Sequence, residues 1–372
     1  MTQTLGILGG GQLARMMVYP AKALGFRVVV LDRTPNSPAG ELADEQIVGE
    51  FLDPDAVARL GAESDVLTYD LEDVNVEAVA ELERAGGTEV HPSSRTLGII
   101  RDKFAQREFL RDRGIPQPAY GEGPPTELPA VVKTRRGGYD GYGVQICKTA
   151  DELARFMEGR DPADVYHEEL VEIDRELAIN AVRSRHGQIV FYPVCDMAMT
   201  GDNKLDMLTV PARLDPHAAE QARHIARTIV IAFGDAGNFG VELFLTKDGR
   251  ILFNEVAPRP HNSGHYTIEA CRTSQFENHV RAVLGLPLGE ATLFQPAVTV
   301  NLIGESAGEP VLEGLAEALA LPGVSIHWYG KKQSRPGRKL GHATIVRPSV
   351  DEAIATAREF REVFRIRVKP TP

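Results

Sequence analysis

The chain has 372 residues, 43% hydrophobic and 25% charged; it is too long for a single core, so two or three globular domains are expected. A formal net charge of −11 argues against a nucleic-acid or anionic-membrane partner. Cys147, Cys195 and Cys271 are too dispersed for a disulfide frame or zinc knuckle, and no apolar run reaches the roughly 18 residues that span a bilayer.

Reading from the start, no basic and apolar leader precedes the first strand, so a cytoplasmic protein is expected. The apolar run 5–8 predicts a strand, and Gly9-Gly10-Gly11-Gln12-Leu13-Ala14 after it fits the template G-x-G-x-x-A. A helix is predicted over 12–24, then the strand RVVVLD ending in Asp32. Alone, this is the dinucleotide-binding fingerprint, with glycines for a tight turn and an acid for a ribose hydroxyl. Further helices are predicted at 53–60 and 76–85, around the strand in DVLTYDL. Such alternation predicts a parallel sheet with crossover helices. His91-Pro92-Ser93-Ser94 is a turn and cap signal before a helix running to about residue 113. From about 118 to 290 the signals are hairpins and short strands, with one long helix over 218–233. Beyond 296 come more strands, the basic stretch GKKQSRPGRKLGH and a last amphipathic helix over 351–364.

Two constellations in the middle region carry chemistry. In FGVELFLTKDGRILFNEVAPRPHNSGH, apolar alternating runs flank Asp248-Gly249, which predicts a two-residue type I′ hairpin. Counting outward pairs Lys247 with Arg250, Leu245 with Leu252, Leu243 with Asn254 and Glu242 with Glu255. Glu242, Phe244, Phe253 and Glu255 then share a face. Opposed residues have Cβ atoms about 4.5–5.5 Å apart, where like charges repel. Two such carboxylates need a cation between them, and their hard oxygens suit Mg2+. In PAVVKTRRGGYDGYGVQIC, a strand ends at Lys133 before a glycine-rich loop. Glycines let backbone N–H groups approach phosphate oxygens, and the lysine adds a point charge. The order of the two excludes a Walker A loop.

Strand, lysine and glycine loop, then VYHEELVEIDRELAIN, then a carboxylate hairpin ending in NE resemble the ATP-grasp superfamily. Within it, GGGQLARM, GGYDG, NEVAPRPHNSGH and RPGRKLGH, in that order across essentially the whole chain, resemble the 5-(carboxyamino)imidazole ribonucleotide synthase family of purine biosynthesis. The resemblance implies mixed α/β and α+β architecture. A Rossmann-like parallel-sheet domain would span 1–94, an ATP-grasp domain with a mobile lid at about 118–167 would span 95–290, and a small subdomain would span 291–372. ATP, not NAD, is then the expected nucleotide. Gly9 to Gly11 would floor the substrate cleft, and Asp32 becomes a turn or cap residue.

The same resemblance implies site roles. Lys103 and Lys133 would contact ATP phosphates, and Gly138, Tyr139, Asp140, Gly141, Tyr142, Gly143 and Val144 would close over them. Glu168, Glu169, Leu170 and Val171 would meet adenine, and Glu176 the ribose. Glu242 and Glu255 would hold Mg2+, with Asn254 alongside. Arg259, His261 and Asn262 would form the pocket for bicarbonate and carboxyphosphate. Glu72, Tyr139 and Asp140 would reach 5-aminoimidazole ribonucleotide, and Lys331, Arg338 and Lys339 would neutralise its 5′-phosphate. The implied reaction is ATP-dependent carboxylation of that amine by bicarbonate, in a homodimer. Three departures stand out: Tyr142 where a basic residue is usual, Met199 where a histidine is expected, and Asp70 where a glutamate is common. Two alternatives are another ATP-grasp ligase using formate or a carboxylic acid, and a non-catalytic nucleotide-binding regulator.

Overall fold

Strand–helix alternation at the start of the chain builds the predicted parallel sheet. The computed structural model describes residues 3–138, 143–199 and 205–369; Tyr139, Asp140, Gly141 and Tyr142 of the glycine loop therefore lie outside the described residues. The first sheet has strand order β3-β2-β1-β4-β5, with β1 (Thr4–Leu8), β2 (Arg27–Asp32), β3 (Glu45–Val48), β4 (Val66–Tyr69) and β5 (Glu89–Val90) all parallel. Its Val- and Leu-rich strands are buried on both faces, as a parallel sheet covered by helices requires. One face meets α1 (Gln12–Ala23), the other α2 (Pro54–Ala62) and α3 (Val76–Ala85). Both later helices begin where side chains can cap them: Asp53 accepts from Asp55 N–H, and Asn75 from Ala78 N–H.

The helix expected from Ser94 to about residue 113 is two helices, α4 (Ser94–Arg101) and α5 (Lys103–Arg111). Asp102 breaks it, because its carboxylate caps α5 by accepting from Phe104 and Ala105 N–H at 3.1 Å each. The same carboxylate binds Arg135 and Arg136, and Lys103 N–H donates to Arg135 O at 2.8 Å. The break therefore fixes Lys103 as the first residue of α5.

A four-stranded antiparallel sheet follows in the order β6-β9-β7-β8. Its strands are β6 (Tyr120–Glu122), β7 (Ala130–Thr134), β8 (Val144–Cys147) and β9 (Val165–Glu169), with α6 (Ala150–Met157) alongside. The largest sheet runs β15-β14-β10-β12-β13-β16-β19-β18, with β11 (Ile189–Phe191) paired to β10 (Ile173–Arg183). It continues through β12 (Cys195–Met199), β13 (Leu205–Val210), β14 (Gly237–Thr246) and β15 (Ile251–Ala257), then β16 (Ala297–Ile303), β18 (Val324–Trp328) and β19 (Lys339–Val346), while β17 (Pro310–Glu313) pairs with β20 (Arg365–Val368). The long helix α7 (Pro216–Phe233) packs on it through Ile225, Ile229 and Phe233. Pairing of β13 with β16 makes the C-terminal strands an extension of this sheet.

The carboxylate hairpin differs from the predicted count in two compensating ways. Thr246 N–H donates to Arg250 O and Gly249 N–H to Thr246 O, with Gly249 at φ +84°. The loop thus holds Lys247, Asp248 and Gly249, a three-residue turn closed by a left-handed glycine, not a two-residue type I′ turn. Leu245 pairs with Ile251 and Leu243 with Phe253, and the register then shifts by a bulge before Glu242 pairs with Glu255. Phe253 consequently packs in the α7 core instead of sharing the glutamate face. The bulged Asn254 reaches the glutamates' side.

Candidate active site

The hairpin brings Glu242 and Glu255 face to face, and the surrounding elements supply cations and amides. Lys103, at the start of α5, places Nζ 2.9 Å from Glu255 Oε2. Lys133, near the end of β7, lies 2.8 Å from Glu168 Oε2 and donates to Asn254 Oδ1 at 3.3 Å. Asn254 Nδ2 donates to Glu242 Oε2 at 3.4 Å, and His261 Nε2 lies 3.4 Å from Glu242 Oε1. Burial pushes the Glu242 carboxyl up to about 8, with Glu255 and Glu176 adding like-charge repulsion. Burial also raises Glu255, but Lys103, with Lys133 and His261, more than offsets this and holds it at about 2. Glu176, on β10, is raised by burial and by Glu255, against Lys133. Among the described residues the cluster therefore has more carboxylate than its cations neutralise, and the opposed hard oxygens fit a divalent cation. Among the described residues, no group of three or more His, Cys, Asp or Glu is arranged to hold a metal. The candidate protein ligands are these two glutamates.

The segment after β15 carries Arg259, His261 and Asn262. Arg259 Nη2 forms an ion pair with Glu72 Oε1 at 2.9 Å, joining the first sheet's loop to the hairpin. The backbone of His261 is clamped by Gln275, which accepts its N–H at 2.9 Å and donates to its carbonyl at 2.6 Å. His261 Nδ1 meets Ser263 Oγ at 2.8 Å, which leaves Nε2 directed at Glu242. Gly240 makes room for this imidazole, since a Cβ there would lie 2.4 Å from His261 Cβ. Among the described residues, both polar atoms of the Asn262 amide are buried without a hydrogen-bond partner. Such groups are rare and costly unless a ligand satisfies them.

Glu168 is not a surface charge. It is 2% exposed and binds Lys133 and Arg107, the latter at 2.6 Å. Glu169 pairs with the chain at Ala119, accepting its N–H at 3.1 Å, while Leu170 is exposed and Val171 half-buried. Gly138 and Val144 flank the undescribed part of the glycine loop. Gly143, at φ +78°, gives its carbonyl to Thr134 N–H at 2.8 Å. In the basic stretch, Lys331 Nζ donates to Lys339 O at 2.8 Å and Arg338 Nη1 to Gln333 O at 2.8 Å. Burial lowers the Lys331 ammonium to about 8, and Arg338 and Lys339 add to that against Asp70. The stretch therefore faces both the first domain, through Asp70, and Glu242, whose ionisation Lys339 favours.

The glycine turn at the start is closed by its own chain. Asp70 accepts from Gly11 N–H at 2.6 Å and from Ala14 N–H at 3.2 Å, and Asp32 from Gly10 N–H at 2.9 Å. Asp32 also takes Thr34 N–H at 2.7 Å, the expected turn role. Arg107 and Gln275 were not anticipated. Arg107 had a signal, since it follows Lys103 by one helical turn, but nothing local marks Gln275.

A parallel-sheet domain, a small antiparallel sheet bearing a lysine and glycine loop, and a large sheet bearing opposed glutamates define an ATP-grasp enzyme. Three family models match the chain: a ribonucleotide synthetase preATP-grasp domain over 1–101, an ATP-grasp domain over 123–276, and a phosphoribosylaminoimidazole carboxylase C-terminal domain over 297–356. N5-carboxyaminoimidazole ribonucleotide synthase of Brucella melitensis is 38% identical, covering 93% of this chain and 96% of that one. The crystal structure of N5-carboxyaminoimidazole ribonucleotide synthetase from Thermotoga maritima superposes with TM-score 0.90 at 46% identity, covering 99% and 100%. The Aspergillus clavatus enzyme in complex with ADP and 5-aminoimidazole ribonucleotide gives 0.89 at 32%, covering 97% and 98%. This chain belongs to the N5-carboxyaminoimidazole ribonucleotide synthase family, and it is an ATP-dependent ligase. It spans about two thirds of the length of the phosphoribosylaminoimidazole carboxylases it also matches, 66% of that from Schizosaccharomyces pombe. Among the described residues, no helix is long and apolar enough to cross a membrane.

Proposed function

We propose that this protein uses ATP to join bicarbonate to the amine of 5-aminoimidazole ribonucleotide, giving the N5-carboxyamino ribonucleotide, ADP and phosphate. The observation that carries the proposal is the crowded pair Glu242/Glu255 between Lys103, Lys133 and the His261–Asn262 segment. Bicarbonate is a poor electrophile, so the γ-phosphoryl group first converts it to carboxyphosphate. That transfer is chiefly positioning and charge neutralisation. Lys103 and Lys133 neutralise the phosphates, with Gly138 to Val144 over them. Glu168 to Val171 meet adenine, and Glu176 takes the ribose hydroxyls. Glu242 and Glu255, with Asn254 alongside, would hold Mg2+, which when bound supplies charge neutralisation to the phosphate oxygens.

Arg259, His261 and Asn262 form the bicarbonate and carboxyphosphate pocket, and the unpartnered Asn262 amide supports that reading. Glu72 fixes Arg259 from the first domain and, with Tyr139 and Asp140, reaches the aminoimidazole. Lys331, Arg338 and Lys339 hold the 5′-phosphate of the ribonucleotide. The test is phosphate release from ATP, measured with each substrate omitted in turn. Release requiring both bicarbonate and the aminoimidazole ribonucleotide is expected. Release supported by formate or another carboxylic acid in place of bicarbonate would overturn the assignment.

A further inference from the structure

Helix α5 presents two cations one turn apart, and each meets a different carboxylate: Lys103 meets Glu255, and Arg107 meets Glu168. Arg107, Glu168 and Lys133 are 1%, 2% and 7% exposed, so three charges are buried together. The two oxygens of Glu168 are divided between the cations, Oε1 to Arg107 Nη2 at 2.6 Å and Oε2 to Lys133 Nζ at 2.8 Å. Arg107 is itself anchored through its other terminal nitrogen. Its Nη1 donates to Phe253 O at 2.8 Å and Gln117 Oε1 at 3.3 Å, and its guanidinium lies 5.2 Å from the Phe253 ring centroid.

We propose that Arg107 is a positioning residue of the nucleotide site: by claiming half of Glu168, it keeps Lys133 fixed in place yet not neutralised. Within this trio two cations meet one carboxylate, which leaves one positive charge to face Glu176 and Glu255, on which Lys133 also acts. Arginine cannot give up its proton in a protein, so its own charge is permanent; burial lowers the Lys133 ammonium, Glu168 opposes that, and Arg107 and Lys103 add to it. A buried Lys133–Glu168 pair without Arg107 would be neutral, and the lysine would serve as a strut with little charge left for a phosphate. Burial raises the Glu168 carboxyl, but Arg107 and then Lys133 bring it down to about 2, so the anion they share stays ionised. Because Glu168 sits at the end of β9 and Lys133 on β7, the shared carboxylate also ties the small sheet to α5. The inference rests on the reading above that Lys133 contacts ATP phosphates.

The test uses the full chain, with ATP affinity from calorimetry and the KM for the aminoimidazole ribonucleotide from turnover. R107M is expected to weaken ATP about tenfold, the scale of one charge-assisted contact, with the ribonucleotide KM within about twofold of the parent. R107M/E168Q removes the carboxylate together with the arginine, which returns the lysine's charge, and should bind ATP at least about threefold more tightly than R107M, any remaining deficit from the parent being Glu168's own share of the nucleotide site. A double variant as weak as R107M, or equal losses for both substrates, would overturn the proposal. Should R107M fail to fold, R107M/E168Q is compared with E168Q, since removing a buried pair together is tolerated better than removing one partner: ATP affinities within about threefold of each other are expected if Arg107 acts only through Glu168, and a difference of about tenfold would overturn the proposal. K133M separates the two readings: unchanged ATP affinity there removes Lys133 from the phosphate site, whatever R107M does.

Discussion

Two loops carry ligand-site signals in the sequence, and the structure treats them in opposite ways. At the glycine turn after β1, the N–H groups that could cradle a phosphate are already taken by Asp70 and Asp32. At the β14/β15 hairpin, carboxylates face each other with too little positive charge between them, and the Glu242 carboxyl rises to about 8 by burial and repulsion. One polar cluster is satisfied by its own chain; the other, among the described residues, keeps buried charge unbalanced. Glycine spacing reports the shape of a turn, whereas unbalanced buried charge reports a need for a ligand. A helix N-terminus filled by the protein's own carboxylate has no room for the pyrophosphate of NAD.

The largest effect that tests this contrast is on the unbalanced side. Glu242→Gln and Glu255→Gln should each lower turnover about 10³-fold, the scale of losing a preorganised electrostatic contact. The two should differ in stability. Glutamine at 242 resembles the protonated carboxyl already favoured there, so the melting temperature should hold or rise. Glutamine at 255 strips Lys103 of its partner at 2.9 Å, so the melting temperature should fall further. Thermal melts of both variants without nucleotide check the difference, and equal melting temperatures would mean the carboxylates share charge evenly.

The second test concerns the substrate phosphate. A charge-assisted contact contributes roughly 1.5–3 kcal/mol, so Lys339→Ala should lower kcat/KM for the aminoimidazole ribonucleotide about tenfold to a hundredfold. Steady-state kinetics should show the KM for ATP barely changed. Weakened ATP with unchanged ribonucleotide would move Lys339 into the nucleotide site.

The third test is on the satisfied side. A Cβ at Gly10 would lie 2.3 Å from Ser37 Oγ and 2.9 Å from Asp32 Cβ. Gly10→Ala should therefore cost about 1–3 kcal/mol of stability through overpacking, read by chemical denaturation. ATP should still raise the melting temperature of this variant, and NAD should raise it in neither variant nor parent.

Much of this was legible from local signals, and the failures share a cause. Helices with a cap and an apolar stripe, such as α3 from Asn75 and α7 from Asp215, sit within two residues of their predicted positions. Asp102 was equally visible as a cap, yet the periodicity continued across it and hid the break between α4 and α5. The Glu242/Glu255 pairing was right although the hairpin count was not. A three-residue turn shifted the register by one, and the bulge at Asn254 shifted it back. Phe253 exposed the error by facing the core. What could not be read were partnerships between distant segments: Arg107 with Glu168, Gln275 with His261, Lys331 with Asp70. Charge and spacing identify which residues are polar, but tertiary contact decides which polar groups are already spent.

The smallest predicted effect tests Lys331, which lies between the two regions. Burial lowers its ammonium from the usual 10.5 to about 8, helped by Arg338 and Lys339, and Asp70 only partly offsets them. For a cation, a lowered pKa means that the folded chain binds fewer protons than the unfolded chain between pH 8 and 10.5. The burial penalty is therefore fully present below 8, and stability rises with pH across that window. Binding of a phosphate runs the other way, because the anion favours the ammonium. Above pH 8 the proton must be taken up on binding, so the KM for the aminoimidazole ribonucleotide should rise toward about tenfold per pH unit. Between pH 7 and 9 the KM for ATP should stay flat if Lys331 serves only the ribonucleotide. Lys331→Arg supplies a charge that does not titrate and should flatten the ribonucleotide profile, even if KM at pH 7 is higher because the guanidinium cannot reproduce the bond to Lys339 O. A profile that climbs equally in the parent and in Lys331→Arg would assign the titration to another group and detach Lys331 from the substrate phosphate.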